Sequence, residues 1–377
     1  MKLRSVGLFA VGLVVSTAIL AVLSLLLATT ARATRTGGSG TFSLTGSMNV
    51  ARAGHTSTLL NTGEVLVAGG TNRIPLTSAE LYNPAIRKWR LTGSMSDGHL
   101  GGTATLLQNG EVLVAGGSDQ FATIATAELF NPATGTCTLT GTLSTPRVFH
   151  TATLLPDGRV LVAGGETFTG GTSLSTAEIY DPATGTWQAT GNLNVARDSA
   201  LAELLSNGQV LIAGGETSSP NSPAIQLASA ELFDPSQGRW TFTGSLPRPA
   251  QGIGLLLANG DVLDSFVAFY SAATGNWTSV GAFSIGGGST VTLLTTGKAL
   301  YTGFRIFTDR YCRGCSSDEA VLYDFSTNSY AFTGSLITPR YADAAVLLPN
   351  GQVLVSGGVD QSQSGFQYLS RTELYTP

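Results

Sequence analysis

The sequence carries little charge. Only 12% of its 377 residues are Asp, Glu, Lys or Arg, and the formal net charge is -4. It has no Lys- and Arg-rich run and no basic stripe, which argues against a nucleic-acid partner. It also lacks an ordered Ser/His/Asp set, a motif of paired carboxylates and a phosphate-binding loop. None of the function classes that depend on these features is indicated.

A long apolar run occurs at the N-terminus, where residues 6–27 contain no charge and follow two cations. This run is long enough to span a bilayer. Ala31-Arg32-Ala33 also fits the small-x-small cleavage site of a secretory signal. Residues 1–33 are therefore either a cleaved signal peptide or a membrane anchor, followed by a linker at residues 34–40. Both interpretations predict an exported chain, secreted or periplasmic, that meets a membrane only through such an anchor.

Cysteine and histidine are scarce, with three of each. Cys312 and Cys315 form a CxxC motif. A zinc site needs four ligands, and no second CxxC or histidine pair is present. A redox CxxC belongs in a thioredoxin-like βαβ context, which is absent. In an exported chain we predict a local Cys312–Cys315 disulfide, with no metal site. Cys137 occupies a phase that is aromatic in other repeats, and we expect a small buried apolar residue there.

Glycine, in contrast, is abundant, with 47 residues. The stretch Glu64–Gly70 is an apolar run of strand length that ends in two glycines. Similar stretches recur at residues 111–117, 159–165, 209–215 and 352–358, and the first four are spaced by about 50 residues, a period typical of repeat architectures. We therefore read the chain as a series of similar units.

Each unit contains four strand-like segments, which we call strands a to d. Strand a ends in Leu-Leu, an x-Gly turn of hairpin type leads to the Gly-Gly strand b, strand c follows, and strand d opens with a bulky residue such as Trp89. Six strands d follow a strand c, whereas a seventh, Thr41–Gly46, precedes all units and the last strand c ends near Tyr375. We predict an all-β fold over residues 41–377: a seven-bladed β-propeller of four-stranded blades, with the N-terminal strand closing the last blade.

The glycine pair after strand b, the Tyr or Phe in strand c and the Trp about seven residues later resemble the kelch repeat, in particular the galactose oxidase/kelch type of β-propeller. The resemblance covers residues 41–377, although blade five has Phe266-Val267 in place of the glycines. Galactose oxidase would imply a copper ion held by tyrosines and histidines. Its adjacent Tyr-His pair has no match here, because Gly54, Gly98 and Phe149 precede the three histidines. We therefore predict no copper and no other cofactor.

Two faces of such a propeller differ in their loops. The a–b and c–d turns share one face and are short and uniform, which is typical of structural turns. The b–c and d–a loops share the other face, and the b–c loops vary widely in length. Variable loops on a rigid scaffold commonly carry function. We therefore assign any binding site to the b–c/d–a face, around the central channel.

An arginine at the entry to strand a recurs in phase in four blades, and each of these blades carries a glutamate in strand c. The pairs are Arg52 and Glu80, Arg147 and Glu178, Arg197 and Glu231, and Arg340 and Glu373. Blade two has His99 in the arginine phase, whereas blade five has Pro249 there and lacks the glutamate. A ring of arginines suits an acidic ligand. Co-occurrence with the glycine pair favours buried structural Arg–Glu pairs instead, with each arginine crossing the glycines.

The remaining candidates do not follow this pattern. His55 and His150 share a phase in strand a and are candidate ligand-binding residues. The long loop of blade six combines cations and an aromatic residue, which suits an acidic or carbohydrate ligand, although a solvated loop explains them equally. These loop candidates are Arg305, Arg310, Tyr311 and Arg313. Asp264, at a valine phase of strand b in blade five, is expected to start a shortened loop.

These observations predict a non-catalytic exported kelch propeller that binds a protein or a glycan through its b–c/d–a face. The alternative is a sugar-modifying enzyme, oxidase- or epimerase-like, with its site at the central channel, because the resemblance extends to exported propellers with such activities. The convergent acid and base groups that an enzyme needs are not visible in the sequence.

Overall fold

The computed structural model describes residues 40–119, 121–167, 171–220, 222–250, 253–264, 268–279, 290–303, 316–361 and 366–377. The N-terminal segment 1–33 lies outside these residues, as do Cys312, Cys315 and the four loop candidates of blade six. Within the described part of the chain, no helix is long and apolar enough to cross a membrane.

The structure confirms the predicted fold: seven antiparallel four-stranded sheets form the blades of a β-propeller. Strands a to d are Thr56–Leu59, Val65–Ala68, Ala79–Asn83 and Lys88–Leu91 in blade one; Thr103–Leu106, Val112–Ala115, Ala127–Asn131 and Thr136–Leu139 in blade two; Thr151–Leu154, Val160–Ala163, Ala177–Asp181 and Thr186–Ala189 in blade three; and Leu201–Leu204, Val210–Ala213, Ala230–Asp234 and Arg239–Phe242 in blade four. They are Gly254–Leu256, Val262–Asp264, Ala268–Ser271 and Asn276–Ser279 in blade five; Thr290–Leu293, Ala299–Thr302, Ala320–Asp324 and Ser329–Phe332 in blade six; and Ala344–Leu347, Val353–Ser356, Thr372–Thr376 and Thr41–Leu44 in blade seven.

Blade seven combines the two ends of the propeller sequence. Strand d, Thr41–Leu44, runs antiparallel to strand c, Thr372–Thr376, with Phe42 opposite Tyr375. The rings of these two residues lie 4.9 Å apart, as in the aromatic pairs of other blades. The predicted closure by the N-terminal strand is therefore confirmed, and it leaves no open gap in the ring of blades.

Strand a is the innermost strand of every blade. Each strand a contacts the strands a of both neighbouring blades, and this circle closes between blades seven and one. Strand b is buried along its whole length, as in Val65–Ala68, because it packs between adjacent blades. Strand d, as in Lys88–Leu91, is mostly exposed at the outer rim. The strands a therefore surround the central channel.

The bulky residue at the second position of strand d connects adjacent blades. The indole nitrogen of Trp187 donates to the carbonyl of Gly141 at 2.8 Å, and that of Trp240 to Gly191 at 2.9 Å. Cys137 takes this place in blade two, and its Sγ lies 3.4 Å from the carbonyl of Gly93. Cys137 packs against the apolar cluster between blades one and two, as expected of a small apolar residue, but it is half-buried and its thiol is also hydrogen-bonded. Burial, with a smaller effect of the Glu128 charge, raises the pKa of this thiol to about 11.

Blade five departs from the sequence-based expectation in strand b. Asp264 is the last residue of the strand, opposite Gly254 and Ala268, and is fully buried. Asp264 therefore does not begin a loop. Strand b of blade five pairs with strands a and c in the same register as in the other blades, although the glycine pair is missing.

Candidate functional site

The entry to strand a on the b–c/d–a face is organised by buried ion pairs. In blade one, Nη2 of Arg52 lies 3.1 Å from Oε1 of Glu80, and neither side chain is exposed. Nη1 of the same guanidinium donates to the carbonyls of Gly69 and Ser78, both at 2.9 Å. The carboxylate of Glu80 also accepts hydrogen bonds from the backbone N–H groups of Asn49 and Val50. The pair therefore fastens the incoming d–a loop to its own blade.

The same arrangement recurs in three other blades. The Nη2–Oε1 distances are 2.7 Å for Arg147–Glu178, 2.9 Å for Arg197–Glu231 and 2.5 Å for Arg340–Glu373. In each case Nη1 donates to the carbonyl of the first glycine of the pair: Gly164, Gly214 or Gly357. All four arginine side chains are 0% exposed, so their charges do not face a ligand on the surface.

The glycine pair meets two requirements of the backbone, besides lying under the arginine. Gly69 and Gly70 both have positive φ, at 66° and 78°, a region that suits glycine. A Cβ on Gly70 would lie 2.6 Å from the carbonyl oxygen of Ala53, on the d–a loop of the same blade. Backbone conformation and close backbone approach thus require the glycines. The arginine uses the first of them as a hydrogen-bond acceptor.

In blade two, His99 replaces the arginine. Its Nδ1 lies 2.7 Å from the carbonyl of Gly116, and its Nε2 lies 3.3 Å from Oε1 of Glu128. Burial favours the neutral acid, but hydrogen bonds from His99 and from the backbone of Ser96 outweigh it and lower the pKa of Glu128. The imidazole of His99 thus contacts the first glycine carbonyl and the strand-c glutamate of its blade, as the arginine guanidinium does in other blades.

In blade five, the residue at the arginine position is Ala250 and not Pro249. The N–H of Ala250 donates to Leu227, and its carbonyl accepts from Gly215. The corresponding backbone groups of Arg197 make the same contacts one blade earlier. Ala250 precedes Leu257 by one residue fewer than Arg197 precedes the equivalent Leu205, so counting back from strand a gives Pro249 instead.

His55 and His150 lie beside the channel but are not brought together. Each is buried and two blades from the other. Nε2 of His55 lies 3.0 Å from the hydroxyl of Ser356 in blade seven, and that of His150 lies 3.0 Å from Thr103 in blade two. Burial, followed by the charge of the neighbouring arginine, lowers the pKa of each to about 3. Both are thus neutral at physiological pH and connect adjacent blades; a role in ligand binding stays a prediction.

The mouth of the channel contains a set of residues with left-handed backbone conformation, two positions after the arginine or histidine. These residues are Gly54, Gly101, Phe149, Ser199 and Ala342. Backbone hydrogen bonds connect successive members: the N–H of Phe149 donates to Gly101, and that of Ser199 donates to Phe149. Phe149 has φ of 56° and is 45% exposed. A large side chain in this conformation carries backbone strain. Comparison of the repeat phases in the sequence could have identified this residue.

Three b–c loops form two-stranded ribbons on the same face. They are Glu166–Thr167 with Thr172–Ser173, Glu216–Ser219 with Ser222–Gln226, and Val359–Asp360 with Gln367–Tyr368. The first two ribbons pack together and bring Glu166, Asp198 and Glu216 close enough for burial and the other two charges to raise the pKa of Glu166. Asp198 is buried and accepts a hydrogen bond from Ser173 at 2.6 Å.

The ribbon of blade seven carries aromatic residues. The ring of Phe366 lies edge to face with Tyr368 at 5.2 Å and with Tyr341 at 6.4 Å. Phe366 is 53% exposed. This aromatic group, formed by Tyr341, Phe366 and Tyr368, gives the b–c/d–a face a surface on which an apolar ligand surface can pack.

The described residues do not fit a copper site. No group of three His, Cys, Asp or Glu residues among them is arranged to hold a metal ion. The two histidines of strand a each use one ring nitrogen for a hydroxyl of the adjacent blade and lie two blades apart.

The opposite face contains a cleft that the sequence reasoning missed. It measures about 560 Å³ and lies among the a–b turns of blades three and four and the c–d turn of blade four. Its lining includes Asp157, Arg159, Gln209 and Asp234. Asp157 and Arg159 form an exposed ion pair at 2.7 Å. The uniform turns had indicated only a structural role for this face.

Comparison with known proteins supports the repeat assignment. A family model of the kelch motif matches residues 147–194. The fold is similar to a solved structure of a fungal alcohol oxidase of the AA5 family in complex with copper. The TM-score is 0.68 with 16% sequence identity, over 90% of this chain and 77% of that chain. No curated protein matches the sequence.

Proposed function

We propose that this chain, a seven-bladed propeller of the kelch and galactose oxidase type, is an exported non-catalytic module that binds a protein or a glycan through its b–c/d–a face. The observation that carries the proposal is the aromatic group of blade seven. Phe366 is 53% exposed beside Tyr341 and Tyr368, directly before the second strand of the ribbon. Exposed aromatic rings held by neighbours lose little entropy on binding and are typical anchors of interfaces.

The surroundings of the channel mouth indicate the chemistry of the ligand. Phe149 offers a further exposed ring, and the carboxylates of Glu166, Asp198 and Glu216 make the side of blades three and four acidic. The charges of the buried arginines are paired with glutamates inside the blades. A ligand with an apolar surface and polar or cationic edges matches this face better than an acidic one.

A capture experiment with two phenylalanine variants tests the proposal. The propeller is presented to a glycan array and, with cross-linking, to extracellular proteins. We expect Phe366→Ala to lower specific capture by at least about tenfold, the loss of one anchor residue. Phe242→Ala is the matched control, because Phe242 is 60% exposed on the outer strand of blade four. Equal effects of the two variants, or no specific capture by the wild type, would contradict the proposal.

A sugar-modifying enzyme is the second candidate. The fold likeness to a copper-containing alcohol oxidase is the observation that favours it. The test is peroxide formation from a panel of sugars and alcohols with and without added copper. Copper-dependent peroxide would overturn the non-catalytic proposal.

A further inference from the structure

The seven innermost strands contain a single ionisable side chain, Glu203 in blade four. All other residues of the strands a are Thr, Ser, Ala, Leu, Val or Gly. Glu203 belongs to a tier, here called the threonine tier, whose members each pair with a leucine of strand b. Its members are Thr58, Thr105, Thr153, Glu203, Leu255, Thr292 and Val346. A carboxylate thus stands where four blades have a hydroxyl.

The side chain of Glu203 reaches the innermost strand of the next blade. A Cβ on Gly254 in blade five would lie 3.1 Å from its Cγ and 3.3 Å from its Oε1. The other blades have Ser, Ala or Val at the position of Gly254. The larger residue in blade four therefore coincides with the absence of a side chain in blade five. Because strand a is innermost and Glu203 is only partly buried, the solvent that it meets is that of the channel.

The carboxylate of Glu203 has neither a hydrogen bond nor an ion pair with any residue that the structure describes. It is flanked by the buried Leu201 and Leu205. Burial alone raises its pKa, to about 7, without a contribution from a neighbouring charge. In the same tier, the hydroxyl of Thr292 is buried and also lacks a partner among the described residues. A buried hydroxyl left unsatisfied in this way is costly and usually indicates a missing partner.

We propose that the channel holds a binding site for a primary ammonium group, with the Glu203 carboxylate as its counter-ion and hydroxyls of the threonine tier as further acceptors. An ammonium carries three N–H donors and pairs well with one anion and neutral oxygens, and Glu203 and the threonine hydroxyls are groups of these two kinds. A divalent metal needs several anionic or imidazole ligands, and the described part of the chain has no such group. This site is independent of the b–c/d–a face and of the function proposed for it.

Calorimetric titration of the full chain with ethylammonium tests the site. At pH 8 the carboxylate is mostly ionised, and we expect saturable binding. Near pH 7 binding should release protons, seen as a dependence of the heat on the buffer, because the cation favours the ionised Glu203. Glu203→Gln should weaken binding by at least about tenfold, the effect of losing a charged partner. Glu111→Gln, which removes a half-buried carboxylate next to an a–b turn, far from the channel, should bind as the wild type does.

A second variant tests whether the space beside the carboxylate, and not only its charge, is needed for binding. Gly254→Ala keeps the carboxylate but adds a Cβ 3.1 Å from its Cγ, and should weaken binding as Glu203→Gln does. Tetramethylammonium, which has no N–H donors, should not compete. The proposal is overturned if ethylammonium fails to bind at pH 8, if Glu203→Gln binds as tightly as the wild type, or if tetramethylammonium competes equally.

Discussion

Arg340 and Glu373 meet at 2.5 Å, and neither side chain is exposed. The pair lies in the blade that joins the two ends of the propeller sequence. Four such pairs and one His–Glu contact hold the d–a loops of five blades in one conformation. These charges contribute to the scaffold, and their energetic importance can be measured.

Removal of one member of a buried pair should be strongly destabilising. We expect Arg340→Met to lower the free energy of unfolding by about 3–5 kcal/mol, because Glu373 is left buried without its partner. The matched control is Arg90→Met, which breaks the pair between a 54% exposed Arg90 and Glu64 and should cost less than about 1 kcal/mol. Chemical denaturation measures both. Similar losses for the two variants would contradict the structural role of the buried pair.

Acid should destabilise the propeller through its buried histidines. The pKa of His150 is lowered to about 3 in the folded protein, so the unfolded chain takes up a proton first as the pH falls below about 6.5. The stability that neutral His150 contributes is complete above pH 6.5 and is lost progressively towards pH 3. His150→Gln should therefore flatten the fall of unfolding free energy over this range. An unchanged slope would show that His150 does not titrate as the structure implies.

Asp343 should act in the opposite direction. Burial raises its pKa to about 6, although Arg340 counteracts this. A raised pKa stabilises the fold while the group is protonated, below its ordinary value near 4, and this stabilisation is lost as the pH rises through 6. We expect Asp343→Asn to be more stable than the wild type at pH 8 and similar to it at pH 4. Thermal unfolding at the two pH values measures the difference, and a variant less stable at pH 8 would contradict it.

The backbone strain at Phe149 can be isolated by comparing two variants that both lose the ring. Phe149→Gly should be more stable than Phe149→Ala by about 1 kcal/mol, because glycine adopts the observed φ of 56° without a penalty. Denaturation midpoints of the two variants give this value. If the alanine variant is as stable as the glycine variant, the left-handed conformation carries no strain.

Much of the fold can be predicted from the sequence, because the same strand pattern occurs in each of the seven blades. The count of strands predicted that Thr41–Gly46 completes the last blade, since one strand d precedes all strands c. The joint occurrence of the glycine pair, arginine and glutamate predicted contacts of the kind seen between Arg52 and Glu80. A pattern that recurs in several blades can be distinguished from the variation of single residues.

Features that occur once were harder to predict. Pro249 was assigned to the arginine phase in place of Ala250, because blade five has one residue fewer between this position and the end of strand a. The importance of Glu203 depends on which strand is innermost and on the space beside Gly254, neither of which a sequence pattern contains. The aromatic group of blade seven forms only when the b–c loop folds back as a ribbon. The loop candidates of blade six and the Cys312–Cys315 disulfide stay predictions.

The pairing of Thr41–Leu44 with Thr372–Thr376 makes the first and last synthesised parts of the propeller direct neighbours. During synthesis, the early strand has no partner until Thr372–Thr376 has been made. A chain that stops a few residues short cannot close its ring and exposes strand edges that pair readily with other chains. The circular architecture thus distinguishes complete chains from truncated ones before any ligand is bound.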